Sequence, residues 1–418
     1  YNAYGKPTLI IHPDGTQTCH VYHSNNALVQ TTYPDGSYVE YIYDCLQRKT
    51  SETLYSSDGE VLSTEVWVYN AFHLISHTDP LGLVTLYTYD GAGRIIEENA
   101  GGMIKTYVYD PLGHVRAVTT GPVTKVTLCD EGGRVIETLE EDETGARENH
   151  MTFSYDEENR KRSATRVTSS GVAVDRFAYD VEGRLCKHTD PEGHVTEIIY
   201  TESALDALGQ RVLQKTTIDP LGNRKIETFD VLGHLSSIEN QNPRQSTVAK
   251  EEYAYDLSGN RIKRTTYIYD QERRVREIDT VWEYDEMGRV RKEVESGERI
   301  TLYTYDAGGR VKTKKLNSGI VFTYDYDGLG RMLEQKSSDG SIHYEYHYLK
   351  GMEPVEILDL RQNMKLQRSY NLFGQIFEET NPHGLVYKWD YDDFGRSKSF
   401  ILPDGSSIDY AYEGRHMS

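Results

Sequence analysis

The chain has 418 residues, with 66 acidic against 46 basic side chains, a formal net charge of −20 and a hydrophobic fraction of 37%. That balance argues against nucleic acid as a partner, because phosphate backbones are bound by clustered Lys and Arg. No apolar run is long enough to span a bilayer as a helix, and no charged, hydrophobic and cleavable leader opens this segment.

One phrase recurs along the chain roughly every 20 to 26 residues: an aromatic-x-Tyr pair, an Asp, two variable residues, then Gly-Arg. It begins in altered form at Tyr1-Asn2-Ala3-Tyr4-Gly5-Lys6. It continues at Tyr43-Asp44, Tyr69-Asn70, Tyr89-Asp90, Tyr109-Asp110, Tyr155-Asp156, Tyr179-Asp180, Phe229-Asp230, Tyr255-Asp256, Tyr284-Asp285, Tyr305-Asp306, Tyr326-Asp327, Tyr370-Asn371 and Tyr391-Asp392. Weaker copies at Cys129-Asp130, Tyr200-Thr201, Tyr269-Asp270 and Tyr348-Leu349 bring the array to about seventeen units. The last begins again at Tyr410-Ala411-Tyr412-Glu413-Gly414-Arg415, so residues 1–418 read as one continuous array cut from a longer polypeptide.

A second set of turns lies between these steps: Asp79-Pro80-Leu81-Gly82, Asp190-Pro191-Glu192-Gly193, Asp219-Pro220-Leu221-Gly222, Asn381-Pro382-His383-Gly384, and Pro-Asp-Gly triplets beginning at Pro13, Pro34 and Pro403. Two turns per unit imply two strands per unit. In Asp-Pro-x-Gly the Asp side chain accepts from the backbone two residues on, Pro presets the next dihedral and Gly closes the turn. In Tyr-Asp-x-x-Gly-Arg the Gly is expected to be left-handed, with Asn159 as the tolerated substitute. Gln47 and Arg273 occupy the same slot and predict turns built differently.

Between turns the aromatics alternate with period two, as in Tyr41 and Tyr43, Trp67 and Tyr69, Tyr87 and Tyr89, Trp282 and Tyr284, and Tyr387, Trp389 and Tyr391. Residues i and i+2 of a strand share a face, so the rings are expected to form cohesive rows across neighbouring strands. Only Glu202-Ser203-Ala204-Leu205-Asp206-Ala207-Leu208, before Gly209, reads as a helical turn. Cys19, Cys45, Cys129 and Cys186 have no framework spacing, so no disulfide scaffold is expected. The fold class is therefore all-β: a ribbon of antiparallel hairpins, expected to curve because sheets of many strands twist.

The motif Tyr-Asp-x-x-Gly-Arg followed by a strand and Asp-Pro-x-Gly resembles the YD repeats of the RHS family over essentially the whole chain. That family includes bacterial polymorphic toxins, insecticidal toxin complex subunits, wall-associated proteins and animal teneurins. The resemblance implies a β-ribbon that spirals as part of a hollow shell, a secreted or cell-surface setting, and an encapsulated toxin domain of the parent chain as a partner. No residue here matches a self-cleaving core segment.

Several groupings imitate sites. Cys19, His20 and His23 are soft ligands, but a strand splits them between two faces and no second cluster completes a zinc set. Asp325 and Asp327 share a face and read as an exposed Asp beside a turn Asp. The Asp-x-x-Gly turns lack the dense oxygen ligands of a calcium loop. His114, His194 and His234 follow turn Gly residues and read as surface strand starters. The Gly-Arg arginines are expected to pair with a neighbouring unit's Asp, an exposed pairing of little worth. No catalytic, cofactor or metal residue is assigned and no cofactor is expected. The reading is a structural shell or scaffold without enzymatic activity. The alternative is a cell-surface adhesion or carbohydrate-binding module whose rings stack on glycans, and a polysaccharide hydrolase would further need two carboxylates roughly 5 to 9 Å apart in a cleft.

Overall fold

The computed structural model describes the chain except residues 13–15, 169–170, 206–208, 271, 307, 328–329, 350, 372, 414–415 and 418. The described residues form antiparallel strands joined by short turns, with no helix among them. They divide into two compact units: the first comprises Tyr1–Ile11, Thr16–His150 and Tyr303–Ser418, and the second is built on Met151–Leu302.

Within each unit, a strand pairs with the strands before and after it in sequence. In the first, Tyr38–Tyr43 pairs with Lys49–Tyr55, which pairs with Val61–Tyr69, which pairs with Leu74–Thr78. In the second, Thr247–Tyr255 pairs with Arg261–Asp270, which pairs with Arg273–Tyr284.

The two turn families expected from the sequence share one geometry. In Asp90-Gly91-Ala92-Gly93-Arg94 the Asp90 amide donates to the Arg94 carbonyl at 2.9 Å and the Gly93 amide to the Asp90 carbonyl at 3.0 Å. Asp90 Oδ1 accepts from the amides of Ala92 and Arg94, both at 2.9 Å. The turn after Asp79 repeats this, with Leu81 and Leu83 amides on Asp79 Oδ1 at 2.9 Å. Gly93 has φ +79° and Asn159 has φ +64°, so the left-handed slot is as expected. The residue after each Tyr-Asp turn enters its strand through a bulge, as where Tyr89 pairs with Ile95 while Thr88 pairs with Glu97.

Gln47 departs from expectation: its φ is +61°, and the Asp44–Arg48 and Gln47–Asp44 backbone bonds match those of the other units at 3.0 Å. The turn is built in the same way because the Asp44 carboxylate fixes the backbone whichever side chain follows. Arg273 does differ. It pairs directly with Asp270 within the ladder, and the left-handed residue is Glu272, one position earlier. The helical expectation is corrected over its described part: Glu202, Ser203, Ala204 and Leu205 end the strand Val195–Leu205, with Ala204 paired to Val212 and Leu205 to Arg211. A neighbouring strand supplies backbone partners there, and local propensity yields to it. Residues 206–208 and the Pro13 triplet lie outside the described residues.

The tyrosines hold adjacent units together. Tyr109 donates its hydroxyl to the Ile95 carbonyl at 2.6 Å, Tyr179 to Lys161 at 2.8 Å, Tyr255 to Leu235 at 2.8 Å and Tyr391 to Ile376 at 2.6 Å. Each acceptor directly follows the Gly-Arg position of the preceding unit. At Tyr109, Tyr179 and Tyr255 the side chain at that position, Arg94, Arg160 or His234, covers the same ring. The guanidiniums of Arg48, Arg94, Arg184 and Arg331 lie 4.5, 4.5, 4.3 and 4.5 Å from the centroids of Tyr69, Tyr109, Tyr200 and Tyr348.

Each of these arginines is also tied to the Asp of its own turn, not to a neighbour's as expected. Arg94 reaches Asp90 Oδ2 from Nε at 2.7 Å and from a terminal nitrogen at 2.7 Å. The five-residue turn already brings the two side chains side by side. The ring rows are likewise corrected: Tyr38 stacks on Tyr55 at 4.7 Å, and Tyr387 and Trp389 meet Phe400 at 5.9 and 5.0 Å, but guanidinium or imidazole groups intervene between most repeat tyrosines. Successive units are two strands apart, about 9.6 Å, too far for rings to touch.

Fully buried apolar side chains are few among the described residues: Val39, Leu139, Ala164 and Val212. The tyrosine face is half-buried by its own side chains, while residues between the tyrosines, such as Ile42, Val68 and Val108, are exposed. Within the first unit, stretches distant in sequence also meet. Glu148 pairs with Arg396 at 3.1 Å, and the Phe373 ring lies so close over Gly121 that a Cβ there would fall 2.5 Å from Cζ.

Three outcomes are expected. Tyr326→Phe, which removes the 3.1 Å bond to Val311, costs about 1 kcal/mol, whereas Arg310→Lys loses both the Asp306 fork and the ring contact; urea unfolding of the two variants checks this. Gln47→Gly relieves the left-handed strain by about 1 kcal/mol and slows hydrogen exchange at the Asp44 amide; unchanged exchange contradicts it. Burial, then the Glu98 and Glu251 carboxylates, push Tyr107 and Tyr253 from 10.0 up to about 12. Because the folded state keeps these protons longer, the stability they contribute is intact below pH 10 and lost as pH rises through about 12. Thermal midpoints across that window measure it.

Candidate functional site

The carboxylates that first suggest chemistry are consumed by the repeat. In Asp90, Asp130 and Asp285, Oδ1 accepts two backbone amides and Oδ2 the arginine Nε. The Arg94 amide, then its guanidinium, holds Asp90 below the usual carboxylate range. At Asp130 the order is reversed, with the Arg134 side chain foremost. Oxygens so engaged are poor calcium ligands and poor bases.

His114, His194 and His234 stand in the arginine position and reproduce its bond, with Nδ1 at 3.0, 3.0 and 3.1 Å from Asp110, Asp190 and Asp230. His234 also stacks on Tyr255 at 4.9 Å. They are therefore turn partners as well as strand starters. Asp327 is held by Arg331 at 2.6 Å, while Asp325 is exposed. His20 faces Thr31 at 3.0 Å and Cys19 is exposed. All four cysteines are free, Cys129 half-buried in its tyrosine slot.

Among the described residues, the grouping with ligand spacing is Glu334, His343 and Glu345. Glu334 already accepts from His343 at 2.8 Å and pairs with Lys336 at 2.6 Å. Sequence reading missed this grouping because its members are matched only by cross-strand register. It also missed a unit at Tyr22, whose hydroxyl reaches the Pro7 carbonyl at 3.1 Å and whose turn closes on Asn26 at φ +67°. His23 and Asn26 replace Asp and Gly there, and the spacing alone could have revealed it.

The first unit holds a cleft of 910 Å³ where Leu83, Gly101 and Met103 meet Leu349, Met352 and Phe377. A neighbouring cleft of 650 Å³ is lined by Glu140, Phe373, Trp389 and Asp390. Among the described residues that line them, neither cleft contains a histidine or a cysteine. Repeat tyrosines such as Tyr109, Tyr179 and Tyr348 are half-buried, donate their hydroxyls to backbone and lie under a guanidinium, which leaves them no open face for a glycan. No helix among the described residues is long and apolar enough to cross a membrane.

The solved Tc holotoxin pore of Photorhabdus luminescens, carrying a TccC3 mutation, superposes with a TM-score of 0.61 at 13% identity, covering 99% of this chain and 26% of that one. The TcdB2–TccC3–TEV crystal structure gives a TM-score of 0.55 at 12% identity, covering 97% and 26%. The chain thus spans about a quarter of the length of these solved chains, and at such identity the likeness establishes the fold. No curated protein matches the sequence. An RHS repeat profile matches residues 69–102. The teneurin YD-shell profile matches residues 201–357 and 254–417, more than half of the 418 residues. A chain built throughout from Tyr-Asp hairpins and matched over that extent belongs to the teneurin YD-shell family of RHS-repeat proteins.

Proposed function

We propose that this chain is a wall segment of an RHS-type shell in a secreted or cell-surface toxin-like protein. There it encloses or displays another domain of the same polypeptide and performs no chemistry itself. The observation that carries the reading is the commitment of the repeat's polar side chains to holding the wall together: Asp to its turn, Arg to Asp and the next ring, Tyr to the previous backbone. The likeness to Tc toxin shells supports it.

The test uses the parent polypeptide under limited proteolysis. A domain carried with the repeats is expected to resist protease while the wall is folded, and to become cleavable in an Arg94→Ala, Arg184→Ala, Arg331→Ala variant in proportion to the loss of stability. Cleavage of that domain at the same rate with the wall intact would remove the enclosing role. The purified chain is expected to show no hydrolysis of polysaccharide substrates, and turnover abolished by a single carboxylate substitution would contradict the non-catalytic reading.

A further inference from the structure

Repeat arginines such as Arg94 and Arg184 grip the acid of their own turn through Nε, whereas Arg261 and Arg264 of the second unit each bury Nε without a hydrogen-bond partner. Arg261 follows the turn position held by Asn260, whose amide side chain takes Asp256 Oδ2 at 3.0 Å, so Arg261 gains no carboxylate from its own turn. Its guanidinium lies 4.1 Å from the Tyr253 ring centroid, and that of Arg264 lies 5.8 Å from Trp282. Three side-chain polar atoms are buried without a partner among the described residues: Arg261 Nε, Arg264 Nε and Thr280 Oγ1. All three fall at one place. Tyr253 pairs with Arg264 and Arg264 with Thr280 in one row on the tyrosine face, while Arg261 pairs with Tyr255 and reaches that row over the Tyr253 ring. Thr280 is 1% exposed.

Of the acids around this row, Glu251, Glu295 and Asp279 are occupied or turned away, and Glu293, across from Trp282, has a partner of its own. Glu251 accepts the Tyr253 hydroxyl and the Thr266 hydroxyl, the latter at 3.4 Å. Glu295, opposite Thr280, pairs with Arg299 at 3.5 Å. Asp279 lies on the opposite face, bound by Lys263 at 2.9 Å and Thr265 at 2.6 Å. A buried donor left without an acceptor is costly, and three such atoms brought together call for a common acceptor.

We propose that Arg261, Arg264 and Thr280 form a binding site for an oxyanion of phosphate or carboxylate type on the tyrosine face of the second unit. Two guanidinium Nε–H groups and a hydroxyl donate to the anion, the charge-assisted geometry in which Arg is strongest. Tyr253 and Trp282 wall the site and limit screening by solvent.

The test titrates the folded chain with inorganic phosphate in one arm and acetate in the other, against chloride at matched ionic strength, reading tryptophan fluorescence and thermal midpoint. A saturable response is expected, stronger in the arm whose geometry fits. Arg264→Gln weakens it by about tenfold or more, Arg264→Lys weakens it less, and the exposed-residue control Arg116→Gln leaves it unchanged. Thr280→Val provides a second readout that does not depend on the arginine variants folding. Without anion it raises the thermal midpoint, because an unsatisfied buried hydroxyl is deleted, and it loses part of the anion-dependent gain. A response to neither anion, or equal gains in wild type, Arg264→Gln and Thr280→Val, overturns the site and leaves bridging water as the acceptor. The shell reading does not depend on this result.

Discussion

The structure depends on a relay that crosses from each unit to the next. An Asp builds its own turn and grips the Arg four residues on; the Arg covers the ring of the following Tyr; that hydroxyl returns to the backbone just beyond the Arg. Each part is weak in isolation, since an exposed ion pair or a single neutral hydrogen bond is worth little. The geometry changes this: the Arg is preordered by its Asp, so the ring that docks under it restricts no further side chain. The next strand pair is thereby held at a fixed distance and register, and the step repeats without a buried apolar core.

That constraint explains which substitutions the repeat carries. His replaces Arg at three turns because imidazole Nδ1 reaches the same Asp oxygen and keeps a flat face for the ring, as His234 does over Tyr255. Asn260 replaces it by an amide that keeps the Asp bond but brings no cation to the ring. Gln and Asn enter the left-handed slot because the Asp carboxylate, bonded to two amides, sets the backbone before the side chain is considered. Arg331 is the most buried of the series, 8% exposed in its side chain. It also donates to the Gly351 carbonyl at 2.7 Å and so ties down the irregular stretch that follows Tyr348.

The two strands per unit, most turn positions and the all-β class were legible in the sequence because each rests on local chemistry: period-two aromatics, Asp-x-x-Gly turns, Pro at a fixed offset. What the sequence left open depended on distances across strands. Arg94 paired with its own Asp90, because a five-residue turn returns the chain on itself. The repeat tyrosines of successive units did not stack in rows because a strand intervenes between them, and ring contacts such as Tyr38 on Tyr55 occur where neighbouring strands both carry an aromatic. The run at Glu202 has helical composition, yet a ladder partner at Val212 overrides it. The meeting of Arg396 with Glu148 has no signature in either segment, since nothing in a repeat states which distant copy it will touch.

The same economy separates the two faces of the ribbon. Tyrosine, arginine and glutamate fill one face and satisfy one another, while Ile42, Val68 and Val108 stand exposed between them on the other. A face whose polar groups are mutually satisfied has little left with which to recognise a ligand, so a place where that satisfaction fails carries more information than any number of places where it holds. In the second unit it fails at Arg261, Arg264 and Thr280 together. Asn260 stands there where the repeat has arginine, and the arginine one residue later is released from its turn. A repeat built for cohesion can acquire a recognition site by this kind of one-residue displacement, without altering the strands that carry it.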